Sequence, residues 1–139
     1  MTGLAEFFTH DHRACDTLWA AVESTVDAGS PVATAFQEFD TAMRRHLDWE
    51  EQVIFPAFES ATGMTGGPTA VMRAEHTQMR GLLDQMKAAE SDPELLVDIG
   101  DTLLMLIQQH NMKEEQILYP MADRTLAGAW EQLQAELKR

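Results

Sequence analysis

The sequence predicts an all-α protein, an up-down-up-down antiparallel four-helix bundle followed by a short fifth helix at the C-terminus. Four long stretches carry apolar residues at helical spacing, near residues 3–27, 31–60, 68–90 and 93–123. Short segments rich in Gly, Pro, Ser and Thr separate them, as is typical of helices that pack antiparallel. With 139 residues, 45% of them hydrophobic, the chain can bury a core, so we expect one domain over residues 1–139.

Short turn signals place the boundaries between the helices. Ser30 and Pro31 predict a cap and a first turn for the second helix, since serine caps helices and proline fits their first turn. Residues 61–68 are the longest loop signal and end in a proline suited to the start of the third helix. Residues 91–94 read Ser-Asp-Pro-Glu, which is a capping box with a proline near the start of the fourth helix.

Two prolines fall late in the second and fourth helices. Pro56 and Pro120 lack the N–H that an interior helical residue donates, so we expect them to kink these helices or to help end them. The bundle then covers about 3–123, and a tail helix is expected at about 124–138. The apolar side of that tail helix consists of Leu126, Trp130, Leu133 and Leu137.

Charge and cysteine content narrow the choice of function. Ten Lys and Arg against 23 Asp and Glu give a net charge of −13, which repels phosphate backbones and anionic lipid, so we expect neither nucleic acid nor membrane as a partner. Cys15 is the only cysteine, so stability does not depend on an internal disulfide. We see no secretion signal at the N-terminus and no stretch of membrane-span length. A cytoplasmic location is therefore expected.

The two halves of the chain repeat each other at an offset of 64 residues. Residues 46–56 read HLDWEEQVIFP and residues 110–120 read HNMKEEQILYP. Four histidines and two glutamates coincide at this offset: His12 with His76, His46 with His110, and Glu50 with Glu114. Imidazole and carboxylate are common ligands of transition metals. The repeat therefore predicts six candidate metal ligands.

Helix geometry brings these residues to one level of the bundle. His12 lies 15 residues before the predicted turn near residue 27, and His46 lies 15 residues after Pro31, so each is about 22 Å from the same turn. His76 and His110 flank the second predicted turn in a similar way. Each His-x-x-x-Glu pair shares one face of its helix, and that face is apolar. The two stripes are Phe39, Met43, His46, Glu50, Val53, Ile54 and Ala57, and Leu103, Ile107, His110, Glu114, Ile117, Leu118 and Met121.

Four imidazoles and two carboxylates inside an apolar bundle favour bound cations. A buried carboxylate without a partner costs several kcal/mol. Six ligands exceed the four of a tetrahedral structural zinc site, so we expect two metal ions. If both glutamates bridge two octahedral ions, the protein and a shared oxo or hydroxo group fill all but about two positions, which stay open for an external ligand. Imidazole-rich ligation favours iron, while a zinc or manganese pair, or a metal-free bundle with His–Glu hydrogen bonds, stays open as an alternative.

The order His, His-x-x-x-Glu, His, His-x-x-x-Glu, with Glu-Glu and a proline six residues after the first Glu, resembles the hemerythrin-like HHE cation-binding domain family. The resemblance covers about residues 4–123. It implies a four-helix bundle with a non-haem, oxygen-bridged di-iron centre. The implied ligands are His12, His46, Glu50, His76, His110 and Glu114. Members of the family are associated with oxygen binding, oxygen or redox sensing, iron handling, and defence against nitric oxide or peroxide.

One position departs from the pattern of oxygen-carrying hemerythrins, which have five histidines, two of them four residues apart on the third helix. Met72 and Arg80 stand four residues before and after His76, so the chain has no second histidine there. A carrier-type site is therefore not expected. His10 is the spare histidine, but it points about 200° away from His12 on a helix, so we interpret it as a surface residue.

Two further residues fall close to the predicted site. Cys15 follows His12 by three residues and is interpreted as a small core residue, with a redox-sensitive thiol as the alternative. Tyr119 takes the place of Phe55 in the repeat and is interpreted as core packing. The alternative for Tyr119 is a phenol that hydrogen-bonds a metal-bound oxygen or ligates iron.

Four charged residues flank the predicted ligands. Asp16 and Arg80 are repeat partners that either orient a ligand or lie at a solvated edge. Glu51 and Glu115 lie about 100° round the helix from the ligands. We interpret both glutamates as solvated charges, with outer-sphere hydrogen-bond acceptors or entrance residues as the alternative.

These patterns support three hypotheses of function. The first is a di-iron protein that binds or reacts with a small oxidant (O2, NO or peroxide) in oxygen or redox sensing or in oxidative or nitrosative stress defence; if it is an enzyme, it is an oxidoreductase. The second is an iron-handling or sensing module without turnover, with the 124–139 helix as its output element. The third is a metal-free structural bundle. The expected partner is a small diatomic or peroxide ligand, and the oligomeric state stays open.

Overall fold

The computed structural model describes residues 3–137, and the regular secondary structure among them is helical, with no strand. The helices are α1 (Leu4–Asp27), α2 (Ala33–Trp49), α3 (Phe55–Thr62), α4 (Pro68–Ala88), α5 (Pro93–Lys113), α6 (Tyr119–Thr125) and α7 (Trp130–Glu136). A first π turn (Glu50–Ile54) joins α2 to α3, a second π turn (Glu114–Leu118) joins α5 to α6, and a 3₁₀ turn (Ala127–Ala129) precedes α7. The predicted all-α bundle with a short C-terminal helix is confirmed.

The long helices form a four-sided bundle. The chain runs up α1, down α2 and α3, up α4, and down α5 and α6, so that α1 packs on α2 and α5, and α4 packs on α5 and α2. One apolar cluster, around Trp19, Phe39 and Leu83, fills the end near the α1–α2 and α4–α5 turns. A second cluster, around Phe8, Phe58 and Trp130, fills the opposite end. Buried histidines and glutamates lie between the two clusters.

The start of α2 differs from the prediction because Ser30 belongs to the end of α1. Gly29 adopts φ +70°, the left-handed conformation that glycine tolerates best. The Ser30 N–H then donates to the Thr25 carbonyl, and the Gly29 N–H donates to the Val26 carbonyl, which is a Schellman motif. The predicted Ser30 cap is therefore wrong, and α2 begins only at Ala33.

The start of α5 is capped one residue later than predicted. The Asp92 side chain accepts a hydrogen bond from the Leu95 N–H at 3.2 Å. The helix begins at Pro93, so Asp92 rather than Ser91 is the N-cap. The negative charge of an aspartate at this position also interacts favourably with the positive, N-terminal end of the helix dipole.

The two late prolines do not end their helices, and each one follows a π turn. Each π turn stands directly before a helix whose second residue is proline, Pro56 in α3 and Pro120 in α6. A π turn needs one more residue than an α turn, so it shifts every later side chain around the axis. As a result Ile117, predicted to face the core, is 55% exposed, while Leu118 and Tyr119 are buried. That part of the predicted apolar stripe is wrong.

The tail helix packs across the end of the bundle that holds the second apolar cluster. The Trp130 ring lies 5.5 Å from the Phe7 ring and 6.3 Å from the Phe8 ring, measured between centroids. The fourth bundle helix continues to Thr125, so the tail starts with the 3₁₀ turn, a few residues later than predicted. Residue 138, the predicted end of the tail, lies outside the described residues. Among residues 3–137, no helix combines the length and apolarity that spanning a membrane would take.

Candidate metal centre

The six predicted ligands meet in the middle of the bundle. Both glutamates have no exposed surface, and the four histidines are at most 3% exposed. α1 contributes His12, α2 contributes His46, α4 contributes His76 and α5 contributes His110, while each glutamate is the first residue of a π turn. The apolar clusters on either side keep this layer away from water.

Ligand atoms in this layer form two groups, each within a span of 4.8 Å. The four-ligand group consists of Glu50, His76, His110 and Glu114. The three-ligand group consists of His12, His46 and Glu114. Glu114 belongs to both groups, as a bridging carboxylate would. The layer therefore offers two neighbouring positions that could each hold a metal ion.

The donor set fits metal ions better than it fits a closed hydrogen-bond network. Glu50 Oε1 and Glu114 Oε2 are buried without a hydrogen-bond partner among the described residues. These oxygens lie 3.1 Å from His76 Nε2 and 3.3 Å from His110 Nε2, and the two imidazole Nε2 atoms lie 3.2 Å from each other. Buried carboxylate oxygens without a hydrogen-bond donor are costly, whereas a cation between them and the imidazoles would satisfy all four atoms.

Each histidine is held from behind by a carboxylate. The Nδ1–H groups donate over 2.7–2.9 Å as follows: His12 to Glu115, His46 to Asp11, His76 to Glu51, and His110 to Glu75. A carboxylate can only accept a hydrogen bond, so each contact assigns the proton to Nδ1 and points Nε2 at the centre of the bundle. Such partners fix the orientation of a ligating imidazole and raise its basicity.

Basic residues hold three of these carboxylates from outside. Arg13 lies 3.0 Å from Glu115, Arg80 lies 3.1 Å from Glu51, and Lys113 pairs with Glu75. Our interpretation of Glu51 and Glu115 as solvated charges is therefore wrong, because both accept from a buried imidazole. Arg80 supports His76 through Glu51, whereas Asp16 is 49% exposed and lies 4.0 Å from Arg13.

Asp11 and Glu75 were missed in the sequence. They stand directly before His12 and His76 and coincide at the offset of 64, which is the signal that could have found them. Each one, however, contacts the histidine of the next helix, His46 or His110, over a separation of 35 residues. That pairing depends on how the helices pack and cannot be read from local spacing.

The buried charges shift the protonation of the histidines. Burial favours the neutral imidazole, but the charge of Glu50 and the hydrogen bond with Asp11 raise the pKa of His46 to about 10. Burial acts in the same way on His110, yet the nearby carboxylate of Glu114, 3.3 Å from its Nε2, raises its pKa to about 9. Burial raises the pKa of Glu50, but His46 and His76 outweigh it and hold that pKa well below its ordinary value. Without metal, the protonated imidazoles of His46 and His110 therefore offset the negative charge of the carboxylates.

Tyr119 reaches into the three-ligand group. Its hydroxyl donates to Glu50 Oε2 at 2.6 Å and lies 2.9 Å from Glu114 Oε1 and 3.1 Å from His12 Nε2. Five residues of α-helix would turn it about 140° away from Glu114, and the second π turn brings it back to the same face. Burial, together with the charges of Glu114 and Glu50, raises the pKa of Tyr119 well above its ordinary value. The interpretation as mere core packing is therefore wrong.

Phe55 occupies the matching place beside the four-ligand group. It is fully buried and stacks on the His76 ring with 5.4 Å between centroids. Phenylalanine offers no polar atom, so the group next to it consists of imidazole and carboxylate alone. The group with one ligand fewer is thus the one that has a phenol beside it.

Cys15 and His10 lie where the sequence predicted. Cys15 is 5% exposed, and burial raises the pKa of its thiol to about 12, which keeps it protonated and unreactive at neutral pH. His10 is exposed. Cys15 nevertheless lines a small internal cavity together with His12, His46 and His110.

Comparison with known proteins agrees with this geometry. The family model of the Hemerythrin HHE cation binding domain matches residues 3–122. An uncharacterised hemerythrin-like protein of Schizosaccharomyces pombe is 27% identical over 129 residues, which are 91% of this chain. The chain spans 63% of the length of that curated relative. None of the solved structures gives a significant match.

Proposed function

This chain belongs to the hemerythrin HHE cation-binding domain family, and we propose that it is a non-haem di-iron protein that binds or reacts with a small oxidant, O2, nitric oxide or peroxide. The observation that carries the proposal is the pair of buried carboxylate oxygens without hydrogen-bond partners, facing imidazole Nε2 atoms. Oxygen or redox sensing, or defence against oxidative or nitrosative stress, would follow from such chemistry.

In this proposal the two ligand groups hold one iron each. Glu50, His76, His110 and Glu114 hold the first iron, and His12, His46 and Glu114 hold the second. Iron, when bound, supplies the electron exchange with the oxidant. The protein ligands leave coordination positions free on both ions, which is what binding of an external ligand requires.

The rest of the chain shapes the surroundings of the ions. The outer carboxylates keep the imidazoles pointing inward, and the apolar clusters exclude water, which strengthens every charge interaction in the layer. The hydroxyl oxygen of Tyr119 lies 2.6 Å from Glu50 Oε2, to which it donates its proton in a hydrogen bond within the buried layer. Because burial and the two carboxylates keep this hydroxyl protonated, we assign Tyr119 the role of a hydrogen-bond donor there.

Metal analysis with optical spectroscopy tests the proposal. Aerobically purified or ferrous-refolded protein should contain two irons per chain, appear yellow to brown, and change its visible spectrum when azide or peroxide is added. The exposed substitution Glu38→Gln serves as a matched control and should leave both results unchanged. If the protein binds no iron after refolding with ferrous salt, the proposal is ruled out. If zinc or manganese occupies the site instead, the di-iron assignment is wrong.

A sensing or iron-handling module without turnover is the second candidate. Phe8 packs against the His46 ring at 5.5 Å and the Tyr119 ring at 5.7 Å, and Trp130 of the tail helix packs against Phe8. A change at the metal layer would thus reach the tail through one aromatic side chain. Deleting residues 124–139 without effect on the fold, the assembly state or the ligand response would count against this candidate.

A further inference from the structure

A groove and an internal cavity lie on either side of the same wall. The groove has a volume of about 480 Å³ and follows the seam between α1 and α5. The cavity, which holds about one water-sized molecule, lies against His12, His46 and His110. Both are lined by Asp16, Trp19, Leu104 and Asn111. These four residues therefore form the wall that the groove and the cavity share.

The opposite seam, between α2 and α4, is closed by ion pairs. Arg44 lies 2.7 Å from Asp84, and Arg80 lies 2.8 Å from Asp48, so two guanidinium groups tie α2 to α4. The guanidinium groups are about one quarter exposed, while Asp84 and Asp48 are 70% and 49% exposed, so these pairs cover the outside of the seam. A molecule entering there would have to break them.

The repeat replaces both bridging arginines in the α1–α5 seam. At the offset of 64, Arg44 corresponds to Gln108 and Arg80 corresponds to Asp16. Both replacements line the groove, and neither makes a hydrogen bond or an ion pair from one helix of the seam to the other among residues 3–137. Asp84 likewise corresponds to Ala20, which also lines the groove. The α1–α5 seam thus lacks both of these pairs and keeps one bridge, from Arg13 of α1 to Glu115 of the second π turn at 3.0 Å.

The wall is less completely buried than its counterpart in the other half of the repeat. Leu104 and Asn111 are only partly buried, whereas Leu47, the repeat partner of Asn111, is fully buried. Trp19 is 4% exposed, and its indole N–H has no hydrogen-bond partner among the described residues. The Trp19 ring fits only because Gly100 has no side chain, since a Cβ there would lie 2.1 Å from the ring.

We propose that a small uncharged ligand reaches the metal layer through the α1–α5 seam, past Leu104 and Trp19. The route is independent of the function proposed above; only the reaction of the ligand with metal rests on that function. Asp16, Glu23 and Glu115 outweigh Arg13 along the groove, so anions are disfavoured. The size of the inner cavity restricts the ligand to a few atoms.

The route can be closed by transplanting an ion pair from the opposite seam. Ala20→Asp combined with Gln108→Arg recreates the Asp84–Arg44 pair across the α1–α5 seam. At pH 9, where a small fraction of the thiol is ionised, the slow reaction of Cys15 with methyl methanethiosulfonate reports access without any need for metal, since Cys15 lines the cavity and no other thiol competes. We expect the double variant to react about tenfold more slowly than wild type, as ~1.4 kcal/mol of added barrier gives, while each single variant reacts at nearly the wild-type rate.

Leu104→Ala is the complementary variant and should react faster. The same proteins, loaded with ferrous iron, should bind nitric oxide in stopped-flow experiments with rates in the same order. Urea unfolding of each variant corrects for labelling through global unfolding. A double variant that reacts like wild type would overturn the route. If the Cys15 labelling rate changes in the seam variants as expected but the protein takes up no iron, the route is supported and the proposed function is ruled out. If bound iron reacts with nitric oxide at the same rate in wild type and in the double variant, the proposed function is supported and the route is ruled out.

Discussion

The two ligand groups are built from repeated sequence, yet they differ in their surroundings. The four-ligand group lies beside Phe55, which contributes packing alone, and the three-ligand group lies beside Tyr119, which contributes a hydroxyl. The seams differ as well, because arginine ion pairs close the one between α2 and α4. The two halves of the bundle have thus kept the same ligand residues and changed their neighbours, so that the two candidate positions differ in the side chains and in the seam beside them.

The largest effect is expected at the ligand that both groups share. Glu114→Gln should weaken binding at both positions by more than about a hundredfold, since a direct ligand contributes more than the outer-sphere partners whose loss costs 10–100-fold. Glu50→Gln removes a ligand only from the four-ligand group, so this variant should retain more metal per chain than Glu114→Gln. Metal content per chain and the melting temperature with iron measure this. Equal loss in the two variants would contradict the division into two groups.

The two substitutions also separate a metalloprotein from a metal-free bundle. In the metal-free chain, Glu50→Gln with Glu114→Gln removes two buried charges but also the stabilising protonation of His46 and His110, so the net change in stability should be small. In the metal-loaded chain the same change should lower the melting temperature, because bound metal stabilises the folded state. A stabilising effect under both conditions would mean that the chain does not depend on metal.

The outer carboxylates should affect the two positions one at a time. Asp11→Asn loosens His46 in the three-ligand group, and Glu75→Gln loosens His110 in the four-ligand group, each with an expected loss of about 10–100-fold in affinity for one of the two ions. Competition with a chelator resolves the two binding steps. Asp16→Asn, which contacts no histidine, is the control. If both variants weaken the same step, the assignment of carboxylates to positions is wrong.

Exchanging the phenol tests the asymmetry itself. Tyr119→Phe removes the donor to Glu50 and should destabilise the metal-free chain by about 1–3 kcal/mol in urea unfolding. In the iron-loaded chain it should shift the near-ultraviolet or visible charge-transfer bands. Phe55→Tyr in that background moves the hydroxyl to the other half and should alter the spectrum in a different way. If neither substitution changes the spectrum, Tyr119 does not contact the iron or its ligands.

The smallest effect concerns protons. His46 and His110 have folded-state pKa values of about 10 and about 9, above the ordinary 6.5, so their contribution to stability is full below pH 6.5 and is lost as pH rises through 9 to 10. The metal-free chain should therefore melt at lower temperature at pH 9.5 than at pH 7. Metal displaces these protons, so calorimetry in buffers of different ionisation enthalpy should detect proton release on metal binding. A metal-free melting temperature that rises over this range would contradict the assigned protonation.

The ligand residues could be predicted because each lies in a local pattern. His46 and Glu50 share a helix face at i and i+4, and the offset of 64 residues repeats that face, so counting to the turns sufficed to bring the six side chains together. The outer carboxylates could not be assigned in this way. Glu115 looked solvated by helical phase, but it reaches His12 across the bundle, and only the packing of α1 against the second π turn makes that contact.

By itself the sequence determined the helices, their order and most of the residues that face the core, because helical spacing and turn signals act over a few residues. The tertiary structure alone decided the π turns, the position of Tyr119 and the difference between the two seams. A π turn moves a side chain by a fraction of a turn and yields no periodic signal of its own. Whether Arg80 closes a seam depends on a partner, Asp48, that stands on another helix. Long-range packing therefore made two unequal positions from one repeated motif.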